Sequence, residues 1–138
     1  MSALDELQDD LPVLCQRPGW TATAPLPGGD FAVPELYSLG EDLWRSYSFL
    51  DQAHAERLAR TYGTRARTWL AGATSAADLG RAFGATLTEA EIAYLRREEW
   101  AETAEDVLWR RTKLGLHMSE AEREAVGAHL SALAPQRP

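Results

Sequence analysis

The chain has 138 residues, 45% of them hydrophobic, a formal net charge of −7 and a single cysteine, Cys15. That length supports one domain with one core, and the acidic balance disfavours a nucleic-acid surface or docking of this part of the molecule on an anionic membrane. One cysteine excludes a disulfide framework or a thiolate metal cluster within the chain, and no apolar run approaches the ~20 residues that span a bilayer.

The first stretch, MSALDELQDDL, is acidic and lacks the basic start and apolar middle of a signal peptide, which points to cytosolic exposure. Residues 3–11 suit a short acidic helix ending near Pro12. Residues 15–34, CQRPGWTATAPLPGGDFAVP, hold Pro18, Pro25, Pro27, Pro34 and three glycines, and cannot be helical. The segment is long for a loop inside a compact domain, so it reads as a connector with something before it. The chain is thus expected to be the C-terminal piece of a longer protein. Residues 1–34 form an N-terminal remnant and connector, and residues 35–138 a helical domain.

Pro34 suits the first turn of a helix, and Leu36, Leu39, Leu43, Trp44 and Tyr47 keep helical spacing through Gly40. Asp51 caps the next helix, with stripe Ala55, Leu58, Ala59 and Tyr62, and Gly63 ends it. Thr64 is expected to cap a short helix with Ala66, Trp69 and Leu70, closed by Gly72. Ser75 and Asp78 start another, carrying Leu79 and Phe83 to Gly84. Thr88 and Glu91 form a capping box for a helix with Ile92, Leu95 and Glu99 on one side and Ala90 and Tyr94 on another. A helix apolar on two sides is sandwiched between neighbours. Thr103 caps the next, with stripe Ala104, Val107, Leu108 and Leu114, and Gly115 stops it. Ser119 and Glu122 box the last helix, marked by Val126, His129, Leu130 and Leu133. No stretch alternates with period two, so no sheet is predicted. The expected fold is all-α, a compact multi-helix orthogonal bundle preceded by an extended Pro/Gly-rich connector.

Two charges fall on apolar stripes. Glu99 and Arg111 are predicted to form a buried bidentate pair, because an unpaired charge there is costly. The alternative, Arg111 holding a substrate phosphate or carboxylate, is less favoured, since a partner is at hand and an anion site needs several donors. Asp106 and Arg110 make an ordinary surface pair, and Lys113 is placed to lie over Trp109.

His54, His117 and His129 show no metal-ligand spacing; His129 reads as a core histidine and His54 as solvated near a helix start. Cys15 has no evident base and reads as inert. Adjacent Glu98 and Glu99 point apart, and Gly28-Gly29 follows no strand, so neither an acid/base pair nor a dinucleotide loop is present. A helix-turn-helix reader would need an exposed basic recognition helix, and the Arg110–Lys113 run is partly committed to the core. No catalytic constellation is visible. Among the five tryptophans, Trp20, Trp100 and Trp109, together with Pro25 of the connector, are candidates for interdomain contact.

Several blocks carry a resemblance. WTATAPLPGGDF (20–31), RTYGTRA (60–66), DLGRAFG (78–84) and above all EIAYLRREEW with TAEDVLWRRTKLGL resemble, in order over roughly residues 18–133, the C-terminal domain of FAD-dependent, quinone-linked glycerol-3-phosphate dehydrogenase. The resemblance implies an accessory helical domain with no cofactor of its own. FAD and the substrate-binding basic residues would lie in the FAD-binding part of the same polypeptide, which precedes this domain. The whole enzyme would oxidise glycerol 3-phosphate to dihydroxyacetone phosphate and pass electrons to quinone, peripheral on the cytoplasmic face of a bacterial membrane. The implied partners are that upstream domain and, left open, a second copy of the chain; no nucleic acid is implied, and the membrane only through the whole enzyme. The competing reading is a stand-alone helical protein-interaction module.

Overall fold

A computed structural model describes residues 23–133. Trp20, Cys15 and the predicted acidic helix over residues 3–11 lie outside the described residues. A 3-10 turn, Val33–Glu35, carries Pro34 as its second residue and leads into α1, Leu36–Ser46. After a short turn, α2 runs Gln52–Tyr62, capped by Asp51, whose carboxylate accepts from the His54 amide at 2.7 Å. α1 and α2 pack closely because Gly40 has no side chain: a Cβ there would come within 3.3 Å of the Glu56 Cα.

α2 stops at Gly63, whose φ of +57° favours glycine. A 3-10 turn, Gly63–Ala66, continues into the four-residue α3, Arg67–Leu70. Thr64 is therefore no helix cap. Its amide donates to the Gly28 carbonyl at 3.2 Å and its hydroxyl to Asp30, which ties the connector to the end of α2. The Ser75–Asp78 box forms as expected but encloses only a 3-10 turn, Ala76–Leu79.

The chain then departs from the expected helix. Gly80, at φ +71°, turns it into strand β1, Ala82–Gly84, which pairs antiparallel with β2, Leu87–Thr88. Phe83 sits on this hairpin rather than on a helix, and the expectation of no sheet is corrected to that extent. The connecting residues Ala85 and Thr86 have φ of 45° and 67°, both in the left-handed region, without the glycine that such a two-residue connection favours.

α4, Glu89–Glu99, follows with Thr88 as its cap. Ile92, Tyr94 and Leu95 are buried on two of its sides, as its double stripe predicts. Thr103 caps the next helix through its hydroxyl, but from Asp106–Arg111 that helix widens to a π-helix. Lys113, at φ +61°, ends it, and Gly115 falls within a following 3-10 turn, Leu114–Leu116. α5, Glu120–Ala132, begins with the complete Ser119–Glu122 box. The molecule is thus mostly helical, with one core drawn from every helix and the hairpin: Leu43, Leu58, Leu70, Leu87, Ile92, Leu95, Val107 and Val126 are all at most 1% exposed.

Candidate functional site

Two features meet between α2 and α4. The first is a buried polar network. Arg57 of α2 and Glu91 of α4 form a bidentate pair, Nη1 to Oε1 at 2.8 Å and Nη2 to Oε2 at 2.7 Å. The Tyr62 hydroxyl donates to Glu91 Oε1 at 2.6 Å. The rest of the guanidinium holds the strained hairpin turn, Nε donating to Thr86 Oγ1 at 2.7 Å and Nη2 to the Thr86 carbonyl at 3.2 Å. Glu91 is fully buried, and both of its carboxylate oxygens are paired. The Glu91 amide still caps on Thr88 Oγ1 at 3.4 Å, but its carboxylate has left the predicted capping box for Arg57.

Burial opposes the charge on Arg57, but the Glu91 hydrogen bonds and charge outweigh it and hold the guanidinium above its ordinary range. Burial, and then Glu91, push the Tyr62 phenol far above the usual range for phenols. His54 is buried rather than solvated, at 8% exposure. Desolvation, reinforced by Arg57, lowers its pKa, so the neutral ring is favoured.

The second feature is an open cleft of about 360 Å³ between the connector, α1, the end of α2 and α4. Pro27, Gly28, Phe31 and Val33 form one wall, and Arg60, Tyr62, Arg65, Tyr94 and Glu99 the other. Two of these lining rings, Tyr62 and Tyr94, cluster with Trp69. Tyr62 meets Trp69 edge-on at 4.7 Å and Tyr94 at 5.5 Å, and Trp69 lies 4.5 Å from Tyr94. Arg65 lies over the Tyr94 ring at 5.7 Å and bonds Glu98 at 2.8 Å.

The predicted Glu99–Arg111 pair is not formed. Arg111 is exposed, and among the described residues no ion pair joins it to Glu99, which lines the cleft half-buried. The π-helix is the reason. Its wider turn, with the Thr112 amide bonded to Val107 five residues back, rotates Arg111 off the stripe that regular helical spacing assigns to it. Asp106–Arg110 forms as expected at 2.7 Å. Lys113 donates to the Trp109 carbonyl instead of covering the ring.

The interdomain candidates scatter. Trp100 is 80% exposed at the end of α4, and Pro25 is exposed on the connector. Trp109 is half-buried with its indole packed against Gly115, where a Cβ would lie 2.7 Å from the ring. Trp20 is outside the described residues. His129 is half-buried and lies 5.0 Å from the Phe83 ring.

Chemically, Glu91 has no exposure, and the Tyr62 phenol, which lines the cleft, keeps its proton, so neither is placed to act as a general base. Among the described residues no three His, Cys, Asp or Glu side chains converge to hold a metal ion. The described residues also do not fit a flavin dinucleotide. They contain no parallel sheet, and Gly28-Gly29 lies in a turn beside the cleft, with no strand leading into a helix. Arg57 was missed in the sequence because it flanks the α2 stripe; Glu91 was legible only as a cap, although it lies four residues before Leu95 on the apolar side.

Comparison with known proteins bears on the whole chain. The family described as the C-terminal domain of alpha-glycerophosphate oxidase matches residues 20–137. A glycerol-3-phosphate dehydrogenase of Pseudomonas aeruginosa is 45% identical over 137 residues, 99% of this chain and 26% of that protein. A D-erythritol 1-phosphate dehydrogenase of Brucella abortus is 44% identical over 106 residues, 77% of this chain and 21% of that protein. An aerobic glycerol-3-phosphate dehydrogenase of Escherichia coli is 38% identical over 120 residues, 87% of this chain and 24% of that protein. The chain spans about a quarter of the length of these relatives.

Proposed function

Given that this chain belongs to the family of C-terminal domains of alpha-glycerophosphate oxidase, we propose that it is the accessory helical domain of a flavin-dependent dehydrogenase acting on a phosphorylated polyol, glycerol 3-phosphate first. The whole polypeptide would carry FAD in its preceding part, oxidise glycerol 3-phosphate to dihydroxyacetone phosphate, and deliver the electrons to quinone from the cytoplasmic face of a membrane. This domain would pack against that body and take no part in the chemistry. The observation carrying the reading is the match of nearly the entire chain to about a quarter of each relative. The full burial of Glu91 and its pairing with Arg57 and Tyr62 support a structural role for the network. A stand-alone interaction module has less support, because each of these relatives is about four times longer.

Relatives named for glycerol 3-phosphate and for D-erythritol 1-phosphate match at similar identity, 45% over 137 residues and 44% over 106. On this reading the choice between their carbon chains would lie outside this domain. The test is a graft: this chain replaces the matching residues of the Pseudomonas aeruginosa relative. The graft is expected to bind flavin and to oxidise glycerol 3-phosphate with kcat/KM within about threefold of the parent. The free chain is expected to bind no flavin. Flavin bound by the free chain, or a graft whose preference moves to D-erythritol 1-phosphate, would refute the proposal.

A further inference from the structure

We propose that the cleft is a binding site for an organic cation, an ammonium or guanidinium group on an apolar stem, with the Glu99 carboxylate as its counter-charge. The site follows from the charges and rings of the cleft itself and stands whether or not the accessory role holds.

Three charged residues line the cleft: Arg60, Arg65 and Glu99. Each arginine has a carboxylate of its own. Arg60 lies 3.6 Å from Glu56, one turn before it on α2, and Arg65 bonds Glu98 at 2.8 Å. Among the described residues no hydrogen bond or ion pair engages the Glu99 carboxylate. The cleft therefore carries one negative charge without a counter-charge. Glu99 is half-buried, where an unpaired carboxylate costs more than it does in open water.

The rings supply a second attraction. Tyr62 and Tyr94 line the same cleft. Burial is the main reason that both phenols titrate high, and the Glu99 charge adds to it at each, so that charge is felt at both rings. Aromatic faces attract cations. Arg65 already combines the two attractions, its guanidinium 5.7 Å from the Tyr94 ring centroid while it bonds Glu98. Glu99 lines the cleft with the same ring and has no such guanidinium.

The rest of the lining sets the kind of cation. A lone carboxylate offers too few ligands for a metal ion, which takes six or more oxygens as calcium or magnesium. The wall facing Glu99 is largely apolar, with Pro27, Phe31 and Val33, and suits an alkyl stem. The volume of about 360 Å³ admits a ligand of side-chain size. Two sources present this chemistry: a free amine or guanidine compound, and a Lys or Arg side chain of a polypeptide joined to this domain.

The test titrates n-butylguanidinium, and its neutral isostere n-butylurea, into the chain and follows amide NMR shifts. The cation is expected to move the amides of Gly63, Tyr94 and Glu99, with Kd on the order of 1 mM. The urea should bind about tenfold more weakly or worse, because the charge-assisted contact is lost. Glu99→Gln should weaken the cation by a similar factor and leave the urea unchanged. Equal binding of cation and urea, or undiminished binding of the cation to Glu99→Gln, would overturn the proposal. The graft described above separates the sources. Exclusion of the cation there, with a lower melting temperature for Glu99→Gln, supports a joined side chain as the natural occupant. Binding as in the free chain supports a free ligand.

Discussion

Glutamates stand near both ends of α4, eight residues apart on one side of the helix, and they meet opposite fates. Glu91 is fully buried and bonded by Arg57 and Tyr62. Glu99 opens onto a cleft, and Arg111, which stripe spacing assigns to it, is in solvent. In one dimension only Glu99 and Arg111 stand out as a pair, because Arg57 flanks its stripe and Glu91 reads as a cap. What separates the two pairs is the backbone around each arginine: Arg57 sits on a regular helix facing the hairpin, whereas Arg111 sits on a π-helix that swings it outward. A charge on an apolar stripe predicts a partner only if the intervening backbone keeps its period.

The contrast can be broken directly. Glu91→Ala leaves Arg57 without its carboxylate in a mostly buried setting and releases the strained Ala85–Thr86 turn. It should cost about 3–5 kcal/mol, read from urea or guanidinium unfolding. Arg111→Ala should change stability by less than about 0.5 kcal/mol in the same measurement. Equal effects would mean that the two ends of α4 are not distinct.

A smaller effect concerns the protons of the buried end. The folded state holds the Tyr62 proton well above the ordinary phenol range, whereas the unfolded chain releases it near pH ~10. The folded state then binds more protons, so stability should fall as pH rises through ~10. Tyr62→Phe should flatten that fall while costing about 1 kcal/mol at neutral pH for the lost hydrogen bond to Glu91. His54 works at the other limit. Its pKa is lowered in the fold, so the unfolded chain takes up the extra proton and stability should decline as pH drops below ~6.5. Replacing His54 with Asn should remove that decline in pH-dependent denaturation curves.

The smallest effect lies at the exposed end. Trp100→Gly should stabilise the free chain by about 0.5–1 kcal/mol by relieving the left-handed backbone. A free chain destabilised by this change would show that the indole already packs within the domain.

Local signals proved readable where the structure is decided locally. Asp51, Ser75 with Asp78, and Ser119 with Glu122 bond the amides their spacing predicts. The DLGRAFG block did not yield its hairpin, because the turn at Ala85–Thr86 uses no glycine and depends on Arg57, almost thirty residues earlier, to hold it. The cleft was equally hidden, being assembled from the connector, α2 and α4. The resemblance carried the functional reading, whereas the residues alone gave a helical domain without visible chemistry.

The bond from Thr64 to Gly28 has one last effect. It closes residues 28–64 into one loop, so the connector side of the cleft is held beside the end of α2 with little further ordering of the backbone.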